Sequence, residues 1–261
     1  LAAFGASKPV SVEVITPEKH NRDIVLCLDA SGSMFDVDTD ILLKFQELVD
    51  GFRGERIALT IFNATGMQIF PLTDDYEYVQ QNLEKMVTVF QNAWTDPEST
   101  TFLAPTLGRE EGASLIGDGL YGCSLNFDFQ EDTTRSRSII LATDNVVNGT
   151  ELVPLDDAAQ TSADENIRVY GINPGSRGET GYVPDSAINQ MQTAVETTGG
   201  QFFLLSDGAV VSSIIDSISA TETSLIVGSP IIVRTDTPDL YLYLLAGGLI
   251  VVFGYLIWRR L

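Results

Sequence analysis

Asp29-Ala30-Ser31-Gly32-Ser33-Met34 sets one carboxylate and two hydroxyls at alternate positions directly after an apolar run at 24–28. Oxygen ligands of this kind suit a hard cation. Mg²⁺ takes near-octahedral oxygens at about 2.0–2.1 Å and gives up its waters reluctantly. The same residue types also make an ordinary polar turn, so the motif alone leaves both readings open. Two later segments complete a pattern. Ser138-Ile139-Ile140-Leu141-Ala142-Thr143-Asp144-Asn145 is another apolar run ending in a carboxylate, and Ser114 supplies a hydroxyl in a glycine-bracketed loop ahead of a helical stretch. Ligands of open parallel sheets collect outside the carboxyl ends of the strands. That rule brings Asp29, Ser31, Ser33, Ser114 and Asp144 to one place.

These residues, in this order, resemble the metal-ion-dependent adhesion site of the von Willebrand factor A (VWA) family: Asp-x-Ser-x-Ser, then a Thr, then an Asp. The resemblance covers residues 22–222 and implies that the five residues hold Mg²⁺, with Mn²⁺ or Ca²⁺ as substitutes. It further implies a partner protein that offers an Asp or Glu carboxylate to the metal. One departure is the loop position, where Ser114 stands in place of the usual Thr. Serine keeps the oxygen but lacks the methyl that stiffens the threonine rotamer, which predicts weaker preorganisation. Asp118 is expected behind the ligands or at a helix start. Hydroxyls and waters are neutral, so such a site leaves part of the metal's charge free to attract an anionic oxygen.

Elements able to position these residues follow in order. Apolar spacing predicts a helix over 40–52, strands over 56–63 and 67–72 as a hairpin, and a second helix over 75–89. Residues 90–112 read as irregular, leading into the Ser114 loop as a wall for the site. Strands at 138–143, 167–172 and 201–205 alternate with helices near 155–165, 185–198 and 207–222. Alternation with short links predicts an α/β fold, a doubly wound and mostly parallel sheet flanked by helices. Residues 1–21 form an N-terminal segment, with an edge strand over 10–15, and 223–239 a tether.

Residues 240–258 hold no charge and read as a transmembrane helix; about 19 residues rise roughly 28 Å. Arg259 and Arg260 follow as a basic tail at 259–261 and predict a cytoplasmic C-terminus, hence an extracytoplasmic VWA domain. The apolar opening Leu1-Ala2-Ala3-Phe4 suggests the end of an upstream span in a longer chain, and no secretory signal is expected in it. A VWA domain ahead of a C-terminal span is similar to membrane-anchored bacterial VWA proteins of the Bat type. That likeness implies a cell-envelope assembly or stress-related complex and association with an AAA ATPase.

The chain carries a formal charge of −21. Removing the two terminal arginines leaves about −23 on the rest, a field that repels nucleic acid and anionic lipid. Gly117-Asp118-Gly119-Leu120-Tyr121-Gly122 matches the dinucleotide fingerprint, yet no apolar strand precedes it and Asp118 would face a pyrophosphate. There is no phosphate-binding loop ending in Gly-Lys-Ser/Thr, and a single histidine, His20, makes a Ser-His-Asp triad untenable. The expectation is a binding module and not an enzyme. A surface adhesin for an extracellular ligand and a membrane-bound metal-dependent hydrolase stand as alternatives. Cys27 and Cys123 are either two buried thiols or, in an oxidising compartment, a disulfide.

Overall fold

The central strand β3 (Arg22–Asp29) is buried along its whole length, the behaviour of a strand covered on both faces. Its side chains alternate between two cores. Ile24, Leu26 and Leu28 enter one, Val25 and Cys27 the other. The computed structural model describes residues 10–15, 18–20, 22–108, 113–128, 135–176, 182–221, 225–227, 231–236 and 238–260.

β3 is followed by helix α1 (Phe35–Gly51), strands β4 (Arg56–Phe62) and β5 (Gly66–Thr73), and helix α2 (Tyr76–Gln91). Then come α3 (Pro97–Leu103), a 3₁₀ turn (Ala104–Leu107), α4 (Ile116–Ser124), β6 (Ser136–Ala142), α5 (Leu155–Asp164), β7 (Ile167–Asn173), α6 (Asp185–Thr197), β8 (Phe202–Leu204) and α7 (Val210–Thr221). The sheet order is β5-β4-β3-β6-β7-β8, parallel except for the β4–β5 hairpin. Apolar faces of α1, α2 and α7 pack on one side through Ile41, Phe45, Leu83 and Ile214; α4, α5 and α6 pack on the other through Leu120, Ala158 and Met191. This is the doubly wound α/β sheet that the strand–helix alternation predicts. β3 and β6 are neighbours whose chains continue to opposite sides, so their carboxyl ends flank a topological switch point, where such sheets bind ligands.

Cys27 of β3 and Cys123 of α4 form a disulfide with a Cα separation of 6.2 Å, which decides between the two alternatives left by the sequence. The irregular stretch after α2 contains α3, capped by Asp96 accepting from the Ser99 amide, because Asp-Pro-Glu is a strong helix start.

By its contacts the chain divides into two units, His20–Leu225, and Leu1–Lys19 with Ile226–Leu261. In the second, β1 (Val10–Ile15) pairs antiparallel with β10 (Ile231–Asp236), so 10–15 is no edge of the main sheet. The region read as a tether holds β9 (Leu225–Val227), paired with β2 (Glu18–His20), as well as β10. Alternation of Ile231, Val233 and Thr235 was available in the sequence, but Pro230 and Pro238 masked it. Helix α8 (Pro238–Trp258) contains the expected span. Among the described residues, however, no helix is long and apolar enough to cross a membrane. Ile250, Val251, Phe253, Ile257 and Trp258 are exposed on α8.

Candidate metal centre

Asp29 ends β3 and is fully buried. The Ala30 amide still donates to the Phe62 carbonyl at the end of β4 (2.6 Å), and the chain turns after it. The Ser31 amide donates to Asp29 Oδ1 (2.9 Å), the side-chain turn that Asp favours. Ser31 Oγ lies 3.2 Å from Ser33 Oγ. The Met34 amide then bonds the Ser31 carbonyl and opens α1. The alternate-oxygen motif is therefore a strand end folded back on its own carboxylate.

Two hydroxyls from elsewhere reach Asp29 Oδ2. Thr143 Oγ1 donates to it at 2.6 Å, and Ser114 Oγ at a long 3.5 Å. Thr143 Oγ1 also accepts from the Asn145 amide (2.9 Å), so its proton is committed to Asp29. Asp144, also buried, follows Thr143 and accepts from the Val146 amide at 2.9 Å. Asn145 sits in the left-handed region (φ 57°), a conformation Asn tolerates, and its Nδ2 donates to Ala187 O on α6.

The Ser114 loop is held from three sides. Ser114 and Asn148 exchange backbone bonds (2.7 and 3.0 Å), and the Leu115 amide donates to the Asn63 carbonyl. Behind it, Glu151 accepts from the Gly117 amide, and both Asp118 oxygens accept from the Leu152 and Val153 amides. Asp118 thus ties the 148–153 segment to α4, and no hydrogen bond among the described residues links it to Asp29 or Asp144. Gly117 and Gly119, on either side of it, are packing residues. A Cβ at Gly117 would strike the Val153 carbonyl, and one at Gly119 the Phe62 ring, whereas one at Gly122 would meet open space; packing explains the first two glycines of the G-x-G-x-x-G match without a nucleotide.

Burial pushes the Asp29 carboxyl up to about 6, helped by the Asp144 charge and opposed by the Thr143 hydrogen bond. A further acid shares this field. Asp38, in the first turns of α1, is fully buried, and burial together with the charges of Asp29 and Asp144 holds its carboxyl well above the usual range. Both of its oxygens, and Oδ1 of Asn63 and of Asn145, are buried without a hydrogen-bond partner among the described residues. All four atoms lie at the carboxyl edge of the sheet; the two amide oxygens are acceptors, and so are the Asp38 oxygens once that carboxyl is ionised, which is what a hydrated cation satisfies. Among the described residues no three His, Cys, Asp or Glu side chains stand close enough to hold a metal by themselves. The set depends on its hydroxyls and on water, as Mg²⁺ or Mn²⁺ permits, and it fits a divalent cation. Of the five expected ligands, Asp29, Ser31, Ser33 and Ser114 are linked by hydrogen bonds, and Asp144 acts on Asp29 through its charge. Only Ser33 is exposed, so the cluster opens to solvent there. Close by, Phe35 stacks on Trp94 (centroids 4.7 Å), which is 76% exposed.

Thr143 and Asp38 escaped the sequence reading. Thr143 had a signal, a hydroxyl immediately before the carboxylate at a strand end. Asp38 stands on the stripe of Met34, Ile41, Leu42 and Phe45, where an acid is out of place.

A doubly wound sheet with this cluster at its switch point is the fold of a VWA domain. Solved structures bear the likeness out. BatB from Bacteroides thetaiotaomicron is 19% identical, with a TM-score of 0.59 over 78% of this chain and 100% of that one. An aerotolerance-related membrane protein from Bacteroides fragilis is 18% identical, with a TM-score of 0.58 over 76% and 99%. Proximal thread matrix protein 1 from the mussel byssus, solved with a zinc-occupied metal-ion-dependent adhesion site, is 20% identical, with a TM-score of 0.51 over 77% of this chain and 49% of its own. Neither a protein-family model nor a curated protein sequence matches the chain.

Proposed function

We propose that this protein is a membrane-tethered VWA module that binds a partner protein through a divalent cation, Mg²⁺ or Mn²⁺, at the carboxyl edge of its sheet. The observation that carries the reading is the convergence of Ser31, Ser114 and Thr143 on the buried Asp29, amid acceptor oxygens that lack partners. Asp29, Ser31, Ser33, Ser114 and Asp144 would hold the cation, which when bound supplies a Lewis-acidic position for a partner's Asp or Glu oxygen. The chain's own part is to orient. Thr143 fixes Asp29, Asn148 fixes the Ser114 loop, and exposed Ser33 leaves the approach open. At −21 the molecule repels acidic partners at long range, but screening over about 8 Å confines that to short distances.

The tether is α8, whose exposed apolar side chains end in Tyr255 and Trp258 beside Arg259 and Arg260, a pattern suited to a bilayer interface. The Bacteroides fragilis neighbour is described as a membrane protein. The reading extends, by the resemblance to Bat-type VWA proteins, to a cell-envelope assembly or stress-related complex with an AAA ATPase as one partner. A binding role without catalysis is the reading we adopt.

Calorimetry with Mn²⁺ and Mg²⁺ on the full chain tests the metal centre. Saturable one-to-one binding that disappears in Asp29→Ala is expected; absence of binding in the wild type would overturn the reading. Retention of the protein in membranes after alkaline washing tests the tether, and its release would remove that part.

A further inference from the structure

Asp38 is a costly residue to leave as it stands. It lies on the face of α1 that enters the core, in line with Met34, Ile41, Leu42 and Phe45, and none of its surface is exposed. A leucine there would complete the apolar stripe, whereas a buried carboxylate without partners loses its hydration for nothing. Asp38 stands with Asp36 in the first turn of α1, where the helix dipole tolerates an acid, yet both of its oxygens lack a hydrogen-bond partner among the described residues. The helix begins after Met34, Asp38 is the fourth helical residue, and no side-chain cap bond is made at this end. Its own amide bonds the Met34 carbonyl (2.9 Å), and that bond fixes Asp38 one turn beyond the Ser31–Ser33 motif. The two charges that act on it are those of Asp29 and Asp144, so it belongs to the same end of the sheet as the metal ligands.

We propose that Asp38 is a positioning carboxylate of the metal centre, accepting hydrogen bonds from waters bound to the cation held by Asp29, Ser31, Ser33, Ser114 and Asp144. Its role runs through water, because no three acidic groups among the described residues stand close enough to grip an ion together. Divalent cations of the Mg²⁺ type keep several waters, and a carboxylate behind those waters holds the shell in place and adds negative charge without taking a coordination position. The buried oxygens of Asn63 and Asn145 are acceptors that the same water shell can reach from the ends of β4 and β6. This inference rests on the metal-binding reading above.

The test uses the full chain as wild type, Asp38→Asn, Asp38→Leu and Asp29→Ala, with Mn²⁺ titrated calorimetrically and thermal melts run with and without Mn²⁺. The expected result is Mn²⁺ binding weakened about 10- to 100-fold in the Asp38 variants, with a metal-free melting temperature equal to or above that of the wild type. A merely structural aspartate would give the opposite, a lower metal-free melting temperature and unchanged affinity, which overturns the proposal. Wild-type affinity in both Asp38 variants, alongside lost binding in Asp29→Ala, removes the role of Asp38 and leaves the metal centre intact. No Mn²⁺ binding by the wild type removes both.

Discussion

Asp29 receives a backbone amide and two hydroxyls, and the shortest of these bonds comes from Thr143. Replacing Thr143 by valine keeps the shape and deletes the donor, so Asp29 loses its orientation. Metal affinity is expected to fall at least tenfold, read by Mn²⁺ calorimetry, with Ser114→Ala milder because its bond is 3.5 Å long. Acid–base behaviour follows from the same burial. The folded Asp29 carboxyl titrates near 6 against an ordinary value of 3.8. The metal-free folded state therefore keeps a proton that the unfolded chain has lost. The group's stabilising contribution is full below about pH 4 and is lost as pH rises through 6, a swing of about 3 kcal/mol. Metal-free wild type should thus lose stability relative to Asp29→Asn between pH 4 and 7 in denaturant titrations. Cation binding needs the ionised form, so Mn²⁺ affinity should drop below about pH 6.

At the scale of elements, α4 is the piece whose fit decides where Ser114 stands. It approaches β4 so closely that only hydrogen fits at Gly119 against the Phe62 ring, and Gly117 meets the backbone of the segment that Asp118 and Glu151 hold. Gly119→Ala should destabilise by about 1–3 kcal/mol through overpacking in urea unfolding. It should weaken Mn²⁺ binding as well, because moving α4 moves the Ser114 loop. A nucleotide added to the wild type should not shift its melting temperature, as these glycines serve packing. Strands and helices were legible because their apolar periodicity reports burial directly: β3 and β6 contain continuous apolar runs and α1 a 3.6-residue stripe. The start of α1 was not, since Asp36, Asp38 and Asp40 interrupt the apolar spacing ahead of Ile41.

For the whole molecule, the Cys27–Cys123 disulfide closes a loop of 96 residues between the strand that carries Asp29 and the helix that follows Ser114. The double variant Cys27→Ser with Cys123→Ser should unfold with about 3–5 kcal/mol less stability, measured by guanidinium titration under non-reducing conditions. What the sequence determined by itself was the class of fold and the oxygen-bearing side chains that end its central strand. Burial patterns and the Asp-x-Ser-x-Ser spacing are local quantities, written in consecutive residues. Tertiary structure alone decided that Thr143 locks Asp29, that Asp38 enters the same field, that Asp118 serves a loop, that the two cysteines pair, and that 10–15 joins 231–236. Each of these depends on contacts between segments far apart in the chain, whose distances follow from sheet order and helix packing. No spacing along the sequence encodes them.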